Sequence, residues 1–303
     1  MTISASTGGP ATALEGASGE VTVTRTRHGP FERISVAASA GRRRYQLSLY
    51  RVGDLLVDAG GARGAAEVAA LMRDDPPRRI VLTHQHEDHA GGVAALRRAW
   101  GHVPVHAPEA HVAYLRERDE LAPYRIAAWG RPEPIPDAIA YDRGTVFEAG
   151  GVVLEAVPTP GHTPGHMSLV ARVDGVRHVL AGDLYVGRRP LAAWYESAAD
   201  ALIHSWRALA VDPFRLLPTH GKVRDDGARV LAEVAEAVER ASERVLDVAA
   251  RLGTTDPAVV GVEALGPEDP HAVVSRGELS HAAFARSVLD PVRSLPASPV
   301  RVG

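Results

Sequence analysis

The chain contains 303 residues, of which 45 % are hydrophobic, and it carries a formal net charge of −3. This length can bury a substantial core and fits one large domain with an appendage or two unequal domains. The net charge gives no electrostatic reason to expect binding to nucleic acid or to an anionic membrane. The sequence has no cysteine, which excludes disulfides, thiolate zinc sites and a cysteine nucleophile and leaves histidine and aspartate as the supply of metal ligands.

The first segment, residues 1–20, consists mainly of Ser, Thr, Gly and Ala and is predicted to be a flexible N-terminal leader. It lacks the basic start and the Leu-rich apolar block of a secretory signal. No later stretch is long and apolar enough to span a bilayer. The sequence therefore predicts a cytoplasmic protein without a membrane partner.

After this leader, short apolar runs typical of strands alternate with segments of helical periodicity. Strands are predicted at residues 45–50, 54–61 and 103–106. Helices are predicted at residues 65–73, 90–100, 108–118, 198–210, 225–252, 256–265 and 280–289. In 225–252, apolar residues recur mostly at intervals of three, four or seven up to Gly253, which predicts a long amphipathic helix. Periodicity alone indicates an α/β fold and no specific architecture.

Four side chains that can bind metal lie within six residues, directly after the apolar run 79–83: His84, His86, Asp88 and His89. Sites built from histidine and carboxylate suit zinc, iron or manganese, whereas calcium and magnesium prefer oxygen ligands alone. In an extended strand His84 and His86 share a face, and a turn at the strand end can bring Asp88 and His89 inward from another direction. One segment can therefore supply ligands to two metals.

Three more candidate ligands, His162, Asp183 and His220, each follow an apolar run. His162 lies in a turn rich in proline and glycine, which can hold its side chain rigidly. His166, four residues further along, is expected to lie outside the ligand set. Each of the three runs is thus predicted to deliver one ligand from one strand end.

In this order, the seven residues resemble the metallo-β-lactamase superfamily, whose pattern HxHxDH, then a lone His, a lone Asp and a lone His, is complete between residues 46 and 220. The resemblance implies two divalent metal ions, zinc first, with manganese and iron as alternatives. One ion would take His84, His86 and His162, the other Asp88, His89 and His220, and Asp183 would bridge them. The resemblance also implies that Asp58 is a buried acid that orients the ligand loop, the alternative being a turn or cap at a strand end.

The same resemblance implies a four-layer αββα sandwich. The metallo-β-lactamase-like domain would comprise residues 21–224, and residues 225–303 would form a small helical or winged-helix-like extension. An extension of this kind can contact substrate or mediate homodimerisation. Its basic content is too low to indicate nucleic-acid binding.

Candidate substrate contacts lie in two segments. Residues 121–142 are rich in proline and are predicted to be an irregular loop over the active site. Tyr185, Trp194 and Tyr195 follow Asp183 closely and are candidate substrate-binding residues, with ordinary packing of a connecting segment as the alternative.

The leading functional hypothesis is a dinuclear metal hydrolase of the glyoxalase II-like kind. A metal-bound hydroxide would attack the carbonyl of a thioester, lactone or ester, and a carboxylate such as Asp88 or a metal-bound water would help the leaving group depart. The substrate would be a small molecule or a carrier-linked acyl group. Two alternatives stay open, a persulfide dioxygenase-like oxidoreductase with one iron and a regulatory or binding protein that retains the fold.

Overall fold

The computed structural model describes residues 20–40, 43–117, 120–187, 197–268 and 270–290, so that residues 1–19 of the predicted leader lie outside it. Within this part of the chain, seven strands form a first sheet in sequence order. They are β1 (Val21–His28), β2 (Phe31–Ala40), β3 (Arg43–Val52), β4 (Leu55–Val57), β5 (Arg79–Val81), β6 (Val105–Pro108) and β7 (Ile139–Tyr141). Strands β1 to β4 pair antiparallel, and β4 to β7 pair parallel.

A second sheet contains five strands of the described residues in the order β12-β11-β10-β9-β8. They are β8 (Val146–Ala149), β9 (Val152–Pro158), β10 (Met167–Val173), β11 (Val176–Gly182) and β12 (Arg215–Pro218). Strands β8 to β11 pair antiparallel and β12 lies parallel to β11. Burial alternates along β8 and through most of β9, because successive side chains of a strand point to opposite faces and only one face meets the core.

Helices follow and separate these strands. Those in the first half are α1 (Ala65–Leu71), α2 (Glu87–Ala90), α3 (Val93–Trp100), α4 (Glu109–Glu117) and α5 (Pro123–Trp129). Those in the second half are α6 (Ala199–Leu209), α7 (Gly227–Leu252), α8 (Pro257–Leu265), α9 (Pro270–Val274) and α10 (His281–Leu289). Helix α7 confirms the predicted long amphipathic helix, and it ends at Gly253, whose φ of 63° is the left-handed conformation that favours glycine.

Three apolar clusters divide the protein into layers. The first includes Leu56 and Leu82 and packs the first sheet against α1 and α3. The second includes Val81 and Leu180 and lies between the two sheets. The third includes Trp206 and packs the second sheet against α6, α7, α8 and α10. This order of helix, sheet, sheet and helix confirms the predicted four-layer α/β arrangement.

The segment predicted to be an irregular loop, residues 121–142, contains α5 and β7. Helix α5 begins with Pro123, and proline is favoured in the first helical turn because its missing N–H has no partner there. Strand β7 is three residues long and pairs with β6, and the hydroxyl of its buried Tyr141 donates to the carbonyl of Leu82 at 2.7 Å. The proline-rich composition predicted neither element. Strand β7 forms because it pairs with β6, and pairing between distant segments is not visible in local sequence.

The described part of the C-terminal extension, residues 225–268 and 270–290, is helical and contains no strand of either sheet. Helices α8 and α10 pack against α7, which places the extension against the second sheet through the third cluster. Among all described residues, no helix combines the length and apolarity needed to cross a membrane.

Candidate metal centre

All seven predicted ligands lie just beyond the carboxyl ends of strands. His84 follows β5, His162 follows β9, Asp183 follows β11 and His220 follows β12. The turn after β5 leads directly into α2, which carries Asp88 and His89. Because these strand ends face each other across the sandwich, the structure brings side chains as distant in sequence as residues 84 and 220 to one place.

The first group of facing ligand atoms belongs to His84, His86, His162 and Asp183, which are all buried. The ligand atoms of this group lie within 4.8 Å of one another. His86 Nδ1 and His162 Nε2 are 3.0 Å apart, and His162 Nε2 is 3.5 Å from Asp183 Oδ2. Such convergence of nitrogen lone pairs and a carboxylate is the arrangement that a divalent cation requires.

The second group consists of Asp88, His89, Asp183 and His220, again within 4.8 Å of one another. Asp183 Oδ1 lies 3.0 Å from His89 Nε2 and 3.5 Å from His220 Nε2. Asp88 Oδ2 lies 3.0 Å from His220 Nε2. Asp183 thus presents one oxygen to each group, as a bridging carboxylate would.

Among the residues that the structure describes, three buried atoms at the centre form no hydrogen bond of acceptable geometry: His84 Nε2, His89 Nε2 and Asp183 Oδ1. Unsatisfied buried polar atoms carry a free-energy cost, so native proteins rarely keep them without a ligand, ion or water. All three belong to residues of the two groups. The residues present therefore fit two divalent cations.

Asp58 aligns the ligand loop from the end of β4. It is 2 % exposed and adopts a positive φ of 62°. Its Oδ1 accepts a hydrogen bond from the backbone N–H of Thr83 at 2.8 Å, and its Oδ2 lies 2.8 Å from His89 Nδ1. With Nδ1–H donating to Asp58, His89 turns its Nε2 toward the centre.

Thr83 orients His84 in the same way. The Thr83 hydroxyl lies 3.1 Å from both oxygens of Asp58 and 3.1 Å from His84 Nδ1. Because the hydroxyl proton goes to the carboxylate, Nδ1–H of His84 donates to Thr83 Oγ1 and leaves Nε2 as the free acceptor. The position of Thr83 directly before the histidine cluster was visible in the sequence, but its role needed the position of Asp58.

Asp183 is held by His166. The Asp183 backbone N–H donates to His166 Nε2 at 3.1 Å, and His166 Nδ1 lies 2.8 Å from the hydroxyl of Thr159. Both ring nitrogens of His166 therefore make hydrogen bonds, one with the backbone of Asp183 and one with Thr159, and His166 belongs to neither ligand group. Gly182 makes this contact possible, since it has a φ of 50° and a Cβ there would lie 2.7 Å from both His166 Nε2 and Thr83 Oγ1.

The histidines of the centre differ in the direction in which their pKa values are shifted. Burial lowers the pKa of His84 well below its usual value, so this imidazole is neutral, as a metal ligand must be. Burial also lowers the pKa of His220, but the carboxylates of Asp183 and Asp88 outweigh it and raise this pKa to about 9. In the reverse direction, burial raises the pKa of Asp88, whereas His89 and His220 lower it to about 2.

A buried ion pair supports the loop from the side of α5. Arg125 donates to both carboxylate oxygens of Glu87, from Nε at 2.7 Å and from Nη2 at 2.6 Å. Arg125 Nη1 also lies 3.8 Å from Glu278 of the C-terminal extension, and the hydroxyl of Tyr124 donates to Glu278 at 2.6 Å. Sequence reasoning missed this network, although a Glu between two ligands of a buried loop indicates that a cation must pair with it.

The structure describes one of the three predicted substrate-binding residues, Tyr185. Tyr185 is buried within the third apolar cluster, and a Cβ at Gly221 would meet its ring at 3.7 Å, so it packs beside the loop of His220. Trp194 and Tyr195 lie outside the described residues. Trp129 lies within the predicted substrate loop, residues 121–142, and its ring centroid is 6.0 Å from that of His220.

A family model described as the metallo-beta-lactamase superfamily matches residues 52–222. A probable metallo-hydrolase of Streptococcus pyogenes is 28 % identical over 180 residues, which cover 55 % of this chain and 74 % of that protein. An atrochrysone carboxyl ACP thioesterase of Aspergillus fumigatus is 27 % identical over 78 % of this chain and 66 % of its own. A hydroxyacylglutathione hydrolase of Vibrio campbellii is 35 % identical over 38 % of this chain and 37 % of its own. Other relatives are matched over about half of their length, such as 51 % for a lactamase-like protein of an Aspergillus species.

Solved structures show the same fold. A beta-lactamase domain protein from Burkholderia ambifaria aligns with a TM-score of 0.64 at 17 % identity, covering 88 % of this chain and 87 % of that one. The Rm3 metallo-beta-lactamase aligns with a TM-score of 0.51 at 21 % identity, covering 76 % and 95 %. With the family model covering more than half of the chain and a His/Asp cluster at the strand ends of an αββα sandwich, this protein belongs to the metallo-β-lactamase superfamily.

Proposed function

We propose that this protein is a dinuclear metal-dependent hydrolase that cleaves a thioester, lactone or ester, with zinc as the first choice of metal and manganese or iron as alternatives. The observation that carries the proposal is the position of Asp183, whose two carboxylate oxygens face the two separate ligand groups. The names of the relatives, a metallo-hydrolase, an ACP thioesterase and a hydroxyacylglutathione hydrolase, support hydrolysis in general. The last two names favour an acyl substrate, either free or linked to a carrier.

His84, His86 and His162 would hold one cation, Asp88, His89 and His220 would hold the other, and Asp183 would serve both. When bound, two divalent cations supply a nucleophilic hydroxide near neutral pH and polarise the carbonyl oxygen. The protein side chains provide the orientation. Asp58 and Thr83 fix the tautomers of His89 and His84 through hydrogen bonds.

Besides binding a metal ion, Asp88 would help the leaving group depart. Its pKa of about 2 keeps the carboxylate ionised at neutral pH. An ionised carboxylate accepts a proton before it can donate one, so Asp88 would take the proton of the hydroxyl group once it has added to the carbonyl carbon and pass it to the leaving sulfur or oxygen, which gives a carboxylate and a thiol or alcohol. Truncation of Asp88 would therefore remove both a ligand and a proton carrier.

The test combines elemental analysis of the purified protein with a panel of thioester, lactone, ester and phosphoester substrates. We expect two metal equivalents and turnover of a thioester, lost on treatment with a chelator and restored by adding metal. Asp183→Ala is expected to abolish turnover, whereas Asp247→Ala, which removes an exposed carboxylate from α7, is expected to leave it unchanged. One equivalent of iron with oxygen consumption would instead establish the dioxygenase alternative, and two metals without turnover would favour a binding protein.

A further inference from the structure

His220 is the most exposed ligand of the second group. Its side chain is 21 % exposed, whereas those of Asp88, His89 and Asp183 are 9 % exposed or less. His220 Nδ1 lies 3.0 Å from the carbonyl oxygen of Gln46 in β3, so an Nδ1–H at this position donates to the backbone. A hydrogen-bond partner on the outer nitrogen fixes the direction of a ligating imidazole. The ring of His220 is therefore oriented only if β3 and the loop of His220, 174 residues apart in sequence, keep their relative position.

The strand pair β2–β3 carries four polar side chains on the face that meets this loop, residues 218–221. Arg33 pairs with Tyr50 and Ser35 pairs with Ser48 across the two strands, so that the four side chains share one face of the sheet. Phe31, on the same face, belongs to the apolar cluster between the two sheets. Polar groups beside a buried core need hydrogen-bond partners, because leaving them unpaired costs free energy. The partners that these side chains find include the loop of His220.

Tyr50 makes the first attachment to the loop. It is 2 % exposed, and its hydroxyl donates to the carbonyl oxygen of Pro218 at 2.8 Å. Burial raises the pKa of Tyr50, so the hydroxyl retains the proton that it donates. Pro218 is the last residue of β12 and lies two positions before His220. The strand end that leads to the ligand is therefore attached to β3.

Arg33 makes the second attachment, on the other side of the ligand. Its Nη2 donates to the carbonyl oxygen of Gly221 at 2.5 Å, and its Nε donates to the hydroxyl of Ser48 at 2.9 Å. In the described part of the chain Arg33 forms no ion pair, so these two hydrogen bonds determine where its guanidinium lies. Gly221 has a φ of 96°, a conformation that favours glycine, and the chain turns there directly after His220. Arg33 thus holds this turn against β2 and β3.

We propose that Arg33 and Tyr50 are positioning residues for the second metal site. By holding the carbonyl groups on both sides of His220, they keep its Nε2 beside the carboxylates of Asp88 and Asp183. The inference rests on the proposed dinuclear hydrolase and specifies how its second ligand group is assembled. None of the four residues of the first group lies in this loop. The two metal sites should therefore respond differently when the attachments are removed.

The test measures the stepwise removal of Zn²⁺ from the metal-loaded protein by a competing chelator. The step that His220→Ala abolishes identifies the second site. Arg33→Met removes both hydrogen bonds of the guanidinium, and Tyr50→Phe removes the hydroxyl alone. We expect each of these two variants to lower the Zn²⁺ affinity of the second site by about tenfold or more, the usual effect of losing a group that orients a ligand. The affinity of the first site should stay unchanged.

Arg25→Met is the matched control. Arg25 lies in the neighbouring strand β1, and it also donates to a backbone carbonyl, that of Leu71, at 2.9 Å. This variant should leave both affinities unchanged. With Co²⁺ in place of Zn²⁺, the visible absorption of the second site should change in Arg33→Met and not in Arg25→Met, because these bands respond to the geometry of the ligands.

Two results would overturn the proposal. One is unchanged affinity of both sites in Arg33→Met and Tyr50→Phe, and the other is equal weakening of the two sites, which would indicate a general structural role. Failure of the hydrolase assignment gives a different result. A protein that binds two ions and shows the selective loss, but hydrolyses no thioester, lactone or ester, would refute the proposed reaction and leave the positioning roles intact.

Discussion

The buried ion pair between Arg125 and Glu87 provides a quantitative test of how the ligand loop is held. The side chains are 8 % and 2 % exposed, and two short hydrogen bonds join them. Arg125→Met would leave the carboxylate of Glu87 buried without its guanidinium partner. Removing one partner of a buried pair costs about 3–5 kcal/mol, which is a large share of the roughly 5–15 kcal/mol that stabilises a native protein.

The double variant Glu87→Met/Arg125→Met separates the cost of a stranded charge from the contribution of the pair itself. Replacing a buried pair by apolar side chains of similar volume is often neutral or stabilising by about 1–4 kcal/mol. Arg98→Met is the matched control, since its pair with Glu133 is 64 % and 55 % exposed. Such exposed pairs contribute about 0–1 kcal/mol.

The assay is urea denaturation of the metal-free variants, because bound metal would add its own binding free energy to the measured stability. We expect Arg125→Met to be the least stable of the three variants and the double variant to recover most of the loss. If Arg125→Met costs no more than Arg98→Met, or if the double variant is as unstable as the single one, the reasoning about a desolvated carboxylate in the ligand loop is wrong.

Three further predictions concern metal binding. Asp183→Asn is expected to lower the occupancy of both ions in elemental analysis, because a single carboxylate faces both ligand groups. His166→Ala is expected to retain two ions but to bind them about tenfold more weakly in competition with a chelator, because His166 accepts a hydrogen bond from the backbone N–H of Asp183 and is not among the proposed ligands. Metal affinity is expected to increase as the pH rises from about 6 to 9, because His220, with a pKa raised to about 9, and His89, whose pKa the surrounding carboxylates raise despite its burial, must lose protons to bind.

Each of these predictions has a result that contradicts it. Unchanged binding of two ions by Asp183→Asn, with Asp247→Asn as the control, would exclude the bridging assignment. Loss of a full metal equivalent in His166→Ala would make His166 a ligand. For the pH dependence, calorimetric titration in buffers of different ionisation enthalpy should show proton release on metal binding below pH of about 9, and an absence of released protons would contradict the ionisation pattern derived for His220 and His89.

The sequence alone determined the candidate ligands and the class of fold. Four ligand-type residues within six positions, and three more after separate apolar runs, could be identified because strand alternation and strand ends are local properties of the chain. The long helix α7 was predictable for the same reason, since a period of three to four residues needs no knowledge of distant contacts. The αββα layers came from the family resemblance, because periodicity does not specify which strands pair.

Tertiary structure decided everything that depends on pairing between distant segments. The contacts of Asp58 with Thr83 and His89 span 25 and 31 residues, and strand pairing rather than local propensity brings them together. The short elements within residues 121–142 formed despite their prolines, because β7 pairs with β6 and α5 places Arg125 on Glu87. The hydrogen bond between Tyr124 and Glu278 joins residues 154 positions apart. No local pattern encodes such a contact, since it exists only once separate layers pack against each other.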